Sequence, residues 1–433
     1  MTWIYYTYEG PKRTLQSKLA VTCAIVFLAV NFVSIAFAQM TGTFESPPIM
    51  KAQELAPATL LNGNGFHVDD DVPTDGLTAN YTIRTDLGPL QAHGLEMLRI
   101  RVAEVPAIVE LKNTSKTKVF AQSVVTNAVR PVAAAGQMIL NPVETVKGLP
   151  GGVSRFFGRV GLGAQKIKES VTEPEEASAA EKSAEVGKRV GQTTRDVFGY
   201  EQERRELAKR LQVDPYTTNP ILSKQLDDIA LTAFRAHVGV TTTMAVFIPG
   251  SMAITATRIV STWVWDTPEA DLIVMNQNKL EGSNVPAQQI ETFMRNPSFP
   301  LSVQTAFVED LTHLRSVRGI LEVVTLAGSA ESEDQARFLA DALDVLARYN
   351  DTQSPLAKII VKGTIMGRDR AGLLIVPVEA DYVVWTKRAA YFANRSDLAT
   401  PKRGIWLSGR MSPIATKRFE SLGWVIKENT QLQ

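Results

Sequence analysis

Eight basic residues lie between Thr386 and Glu420 against two acidic ones, Asp397 and Glu420. One of them, Arg410, sits in the short loop that leads to Ser412-Pro413. Serine followed by proline marks a helix entry, because the hydroxyl can accept from the first free N–H groups and the fixed φ of proline suits the first helical position. The open N–H groups and partial positive charge of a helix start attract anions. Arg410 and Ser412, with Lys387 and Arg388 upstream, therefore read as a candidate site for a phosphate, a carboxylate or an acidic glycan. The competing reading is a capped helix with solvated cations around it.

Other chemistries find less support. The four histidines, His67, His93, His237 and His313, are scattered and form no pair on a helical face, so no zinc ligand set emerges. Asp69, Asp70, Asp71 and Asp75 offer hard oxygen ligands, but Pro73 interrupts the spacing a calcium loop needs and no glutamate closes it. A solvated acidic turn is the better reading. No Gly-x-Ser-x-Gly elbow, Walker loop or dinucleotide fingerprint occurs, and Gly158, Gly161 and Gly163 follow an amphipathic stretch where a phosphate cradle needs a buried strand. The expectation is no metal and no cofactor. Catalysis stays open, since triads are assembled in space.

The first residues decide the compartment. Lys12, Arg13 and Lys18 precede an uncharged run from Leu19 to Ala38 that ends Ala36-Phe37-Ala38. A positive start, an apolar middle and small residues at the end are what signal peptidase reads, so cleavage is expected after Ala38 and the mature chain would be periplasmic or secreted. The alternative is an anchor formed by an uncleaved N-terminal helix, although Asn31 and Ser34 weaken the span. The single cysteine of the 433 residues, Cys23, falls within this run, so the mature chain would be cysteine-free. Disulfides, thiolate nucleophiles and cysteine-bound metals are then excluded, and stability must come from packing. With 46 Lys plus Arg against 45 Asp plus Glu there is no basic excess of the kind that nucleic-acid phosphates demand.

The positioning elements predict an α+β protein: a mainly helical middle region, a small N-terminal β-hairpin and helix unit, and a C-terminal α/β module. After the signal peptide at 1–38, an N-terminal region at 39–140 begins with a loosely ordered arm to about Gly65. It continues with a hairpin of Tyr81–Arg84 and Leu90–His93 around Asp86-Leu87-Gly88-Pro89, and then helices from Leu95 to Val129. Residues 141–212 read as an amphipathic and charged linker region. A helical domain at 213–352 opens with Asn219 capping Pro220 and ends with a helix whose Ser332 and Gln335 form a capping box. The module at 353–433 shows β-branched runs at Ile359–Val361 and Leu373–Val378 flanking a loop tip at Gly367–Arg370, a strand at Gly404–Ser408, a helix to Leu422 and a last strand. The uncharged interval between Arg235 and Arg258 reads as a buried helical hairpin, with insertion into a bilayer or docking on a partner as the alternative.

Asp214-Pro215-Tyr216 with Asn219-Pro220, Trp385-Thr386-Lys387-Arg388-Ala389, and Ser408-Gly409-Arg410 leading to Ser412-Pro413 resemble segments of an uncharacterised family of exported bacterial proteins. The resemblance implies export and a bacterial source and carries no mechanism. The leading expectation is an exported envelope protein that acts without catalysis through contacts to a protein partner or a membrane surface. No nucleic acid is expected. The alternative is a metal-independent hydrolase or ligand-binding enzyme holding a small anionic ligand in the C-terminal module.

Overall fold

The computed structural model describes residues 44–115, 199–236 and 258–430. The expected leader, most of the linker region and the interval between Arg235 and Arg258 lie outside the described residues. The described chain has an α+β fold.

Alternating burial builds the N-terminal unit. Strands β2 (Asn62–Gly63), β3 (Phe66–Val68), β5 (Asn80–Thr85) and β6 (Gly88–His93) form an antiparallel sheet in the order β2-β3-β5-β6. Tyr81 and Ile83 of β5 and Leu90 and Ala92 of β6 turn inward, as a period of two requires of a one-sided sheet. The expected hairpin is present, with Gly88 and Pro89 inside β6 and not in the turn. The arm is ordered from Phe44 onward, contrary to the expectation of a loose segment. Its strand β1 (Ile49–Lys51) pairs with β4 (Asp71–Pro73), and Ala52 of the short helix α1 (Ala52–Leu55) donates its N–H to Asp70 at 2.8 Å. Pieces this short show no period, and each is held by a partner distant in sequence.

One helix, α2 (Gly94–Ser115), lies on the sheet and buries Leu98, Val105, Ile108 and Leu111. Two more helices pack into the same core: α3 (199–211) and α4 (Pro220–Ala236). The charged stretch before Arg210 therefore ends as a packed helix. Leu207, Ala208 and Leu211 form a narrow stripe that is fully buried although the surrounding sequence is charged. The helix at Pro220, expected to open the middle domain, adds Leu222, Leu226 and Ile229 to the N-terminal core.

A buried carboxylate joins these helices. Glu104 of α2 is wholly enclosed and accepts hydrogen bonds from Arg101 at 3.0 Å, Asn219 at 2.8 Å and the Thr217 hydroxyl. Asn219 also caps α4 through Ile221 N–H at 3.1 Å. Asp214 accepts from Tyr216 N–H at 2.8 Å and from the Ser302 hydroxyl, which ties the same turn to the middle helices.

Those helices are α5 (Arg258–Asp266), α6 (Glu269–Glu281), α7 (Ala287–Met294), α8 (Leu301–His313), α9 (Ile320–Gly328) and α10 (Glu333–Thr352). Pro268, Pro286 and Pro300 stand immediately before α6, α7 and α8. Phe293, Phe299 and Phe307 meet with ring centroids 5.0 to 5.5 Å apart. The capping bond expected at α10 forms, Gln335 N–H to Ser332 Oγ at 3.3 Å, while the Gln335 side chain reaches back to Glu331 N–H. Among the described residues no helix is long and apolar enough to cross a membrane.

The C-terminal module is a mixed sheet of β7 (Leu356–Val361), β8 (Ile365–Asp369), β9 (Leu374–Val378), β11 (Arg403–Leu407) and β13 (Val425–Lys427), in the order β13-β11-β9-β8-β7. A second parallel pair, β10 (Tyr382–Val383) and β12 (Arg410–Met411), extends its upper end. Gly367–Asp369, expected as part of a loop tip, belongs to the middle strand of a meander. Gly367 serves packing: a Cβ there would lie 2.7 Å from Leu346 of α10. Strands β9, β11 and β13 run parallel and are linked by α11 (Lys387–Ala393) and α12 (Pro413–Ser421). Both crossovers step the same way, so right-handedness puts both helices on one face. There Trp385, Phe419 and Trp424 pack edge to face, while Ile359, Ile365, Ile375 and Trp406 face α10 on the other side.

Replacing Glu104 by Ala would strand the Arg101 guanidinium and the polar groups of Thr217 and Asn219 in a dry interior. The expected loss is about 3–5 kcal/mol of unfolding free energy, read by denaturant titration, with a smaller loss for Glu104→Gln.

Candidate functional site

The chain itself supplies the anion at the helix entry singled out by the sequence. Ser412 caps α12, accepting Ala415 N–H at 3.0 Å, and its hydroxyl donates to Glu45 Oε2 at 2.6 Å. The same oxygen accepts Trp385 N–H at 2.6 Å, and Met411 N–H donates to Glu428 at 2.7 Å. The Arg410 guanidinium donates to the backbone carbonyl of Glu54 and lies 5.9 Å from the Tyr382 ring centroid. Arg410 and Ser412 are thus brought together, and their groups bind the N-terminal arm. Lys387 and Arg388 do not join them; they are exposed on the first turn of α11. The capping reading describes Ser412, and the anion it meets is an internal carboxylate invisible to local pattern because Glu45 lies hundreds of residues away.

A second cluster, missed by the sequence reading, stands at the carboxyl ends of β9 and β11, where open parallel sheets commonly place functional groups. Asp381 accepts Ala79 N–H at 2.7 Å and Leu95 N–H at 2.8 Å, clamping the sheet and the start of α2 onto the module. Gly409 permits the approach of the two loops, since a Cβ there would fall 2.3 Å from the Asp381 carbonyl oxygen. Glu379, Glu96 of α2 and Asp341 of α10 bring three carboxylates from three units within electrostatic reach of one another. Burial pushes the Glu379 carboxyl up to about 8, helped by Glu96 and Asp381 and opposed by a bond to Ser408 and by Arg99. Burial likewise holds Asp341 well above the usual carboxylate range, with Glu379 and Glu96 adding to it and Arg337 opposing. Burial also raises the Asp381 carboxyl, despite its two backbone donors. Tyr81, fully buried and without a hydrogen-bond partner, stands near enough for Asp381 to push its phenol up further.

Chemically, such a cluster stores protons at neutral pH. It positions no metal: among the described residues no group of three or more His, Cys, Asp or Glu side chains could hold an ion. The acidic turn near His67 is likewise consumed locally, with Asp69 paired to Arg84 at 2.7 Å, Asp71 to Lys51, and Asp75 accepting Leu77 and Thr78 N–H groups. An open groove of about 830 Å³ on the middle helices is lined by Trp263, Met275, Lys279, Glu309 and Arg315, and the cation among them is already engaged, with Lys279 lying 3.9 Å from the Trp263 ring and 2.6 Å from Glu309.

Residues of the basic segment divide into two sets. Arg395 pairs with Asp397 at 2.9 Å, Arg403 lies over Trp424 and donates to the carbonyls of Leu398 and Leu422, and Arg410 is tied to the arm. Lys387, Arg388, Lys402, Lys417 and Arg418 are exposed, and their side chains make no hydrogen bond or ion pair among the described residues; of these, all but Lys402 stand on the two helices α11 and α12. Comparison with protein-family models, with curated proteins and with solved structures found no match.

Two outcomes follow. Ser412→Ala removes a cap and the donor to Glu45, costing about 1–2 kcal/mol, and inorganic phosphate leaves the melting temperature of the native chain unchanged because Glu45 already fills the position. For Glu379, a carboxyl whose folded value is raised stabilises fully below the ordinary carboxylate range and loses that contribution as pH rises to about 8. Unfolding free energy should therefore fall between those limits, and Glu379→Gln should flatten that fall in a pH series of denaturant titrations.

Proposed function

We propose that this chain is an exported bacterial envelope protein that acts by surface contact and not by catalysis, using the outer face of its C-terminal module. The observation that carries the reading is the set of four exposed cations, Lys387, Arg388, Lys417 and Arg418, that the fold leaves without an internal partner on two neighbouring helices. The other basic side chains of the segment that touch Asp397, Trp424 or the arm have structural employment; these four do not. The pattern of Lys12, Arg13, Lys18 and the apolar run to Ala38 supports export. Periplasmic or secreted, such a protein would meet acidic surfaces through this face.

A polyanionic matrix provides the test. The full chain should be retained on immobilised heparin at low ionic strength and released by added salt, as screening demands. Reversal of all four charges, Lys387→Glu, Arg388→Glu, Lys417→Glu and Arg418→Glu, should abolish retention, whereas Arg410→Ala should leave it intact. Equal retention of the four-fold variant would sink the reading.

A further inference from the structure

We infer that the partner of this face is an anionic lipid bilayer, which the outer surfaces of α11 and α12 meet through four cations and two apolar anchors. The inference rests on the docking reading above and adds the identity of the surface.

The arrangement repeats on the two helices. On α11, Lys387 and Arg388 precede Tyr391 by four and three positions, so all three share one face. On α12, Ile414 precedes Lys417 and Arg418 by three and four, which again gives one apolar and two basic side chains on a shared face. The opposite faces are fixed inward: Ala390 and Ala393 of α11, and Ala415 and Phe419 of α12, lie in the same aromatic core layer. Trp424 bridges the two helices, meeting Phe419 of α12 edge to face at 6.2 Å, stacking on Phe392 of α11 with centroids 5.6 Å apart and donating its indole N–H to the Ala393 carbonyl at 3.0 Å. Both helices are therefore fastened to the same aromatic core, and their outward faces lie on one side of the sheet.

Tyr391 is 71% exposed and Ile414 43% exposed, large apolar side chains left in water beside cations. Lys387 and Arg388 occupy the first turn of α11, where the positive end of the helix opposes them, so they do not serve that helix. Glu420 is the one carboxylate on either helix.

Charge complementarity selects an anion-rich partner, and the form of the apolar groups selects a bilayer. A protein partner is usually held by aromatic anchors seated in well-packed pockets at the centre of a contiguous interface. On this face two separate apolar tips, Tyr391 and Ile414, stand among exposed cations. An interfacial aromatic or aliphatic side chain flanked by lysine and arginine fits the headgroup boundary, where the ring or chain dips into the acyl region and the cations meet lipid phosphates.

The experiment is flotation of the full chain with vesicles of phosphatidylcholine alone and with equimolar phosphatidylcholine and phosphatidylglycerol. Binding to phosphatidylcholine alone reports the uncharged stretches elsewhere in the chain and cancels in the comparison. The native chain should bind the anionic vesicles at least tenfold better than the neutral ones, and added salt should erase the difference. The four-fold charge reversal should abolish the difference, and Tyr391→Ser with Ile414→Ser should weaken it several-fold, both with unchanged melting temperature because these side chains are exposed. A control carrying Lys209→Glu and Lys224→Glu, exposed cations on α3 and α4 that pair with Asp266 and Asp228, should keep the preference of the native chain. If the native chain is retained on heparin through the four cations yet shows no preference for anionic vesicles, the docking reading stands and the bilayer is wrong. Capture of an acidic protein or an oligonucleotide in place of vesicles leads to the same conclusion. If the four-fold variant keeps the native preference for anionic vesicles, this face is not the one that meets lipid.

Discussion

A carboxylate with no access to water joins the first two described stretches of this chain, 44–115 and 199–236. Glu104 sits midway along a helix whose buried side is apolar apart from it and Arg101, and a carboxyl there, pushed up by burial, is tolerable only if its oxygens are met. Arg101 answers one helical turn away, and Thr217 and Asn219 answer from a turn more than a hundred residues later. Asn219 then directs α4, and Asp214 in the same turn fastens Ser302 of the middle helices. Hydrophobic burial supplies the larger free energy, but it is indifferent to register. The buried polar network sets which helix meets which.

A second constraint of the same kind operates at the upper end of the mixed sheet. Asp381 reaches across 302 and 286 residues to take two backbone N–H groups of the N-terminal unit, and Glu45 makes the reverse connection from the arm to Trp385 and Ser412. Many α/β sheets leave the carboxyl ends of such strands to a ligand, whereas β9 and β11 meet another part of their own chain. Glu379, Glu96 and Asp341 share this crowded place, and burial together with the neighbouring carboxylates raises the Glu379 and Asp341 carboxyls. The polar side chains nearest the sheet ends thus act as struts, and those left for an external partner lie on the outermost helical layer.

Much of the local structure was legible. Asn219-Pro220, Ser332 with Gln335, and Ser412-Pro413 each start the helix they announce, because a cap needs only residues within one turn. The hairpin at β5 and β6 and the strands at Ile359, Leu373 and Gly404 were legible for the same reason. The reading failed where the deciding partner was remote. Gly367-Arg368-Asp369-Arg370 has the composition of a turn, yet Gly367 lies under Leu346 and Asp369 accepts the Tyr349 hydroxyl at 2.9 Å, so most of the segment becomes a central strand. Leu207 and Leu211 were too few to outweigh the charges around them until α2 was available to cover them.

The sequence by itself determined the alternation of helices and strands, their caps, the lone cysteine within the apolar run near the start, and the local excess of positive charge near the C-terminus. Tertiary structure alone decided which of those charges remain available. Arg410 and Ser412 looked like ligand residues and are satisfied by Glu54 and Glu45, while Lys387 and Arg388 looked like their companions and point outward. Spacing reports which side chains share a helical face. Only the folded chain determines whether a carboxylate from elsewhere has already reached that face, because hydrogen bonding and desolvation depend on distance in space and not on distance in sequence.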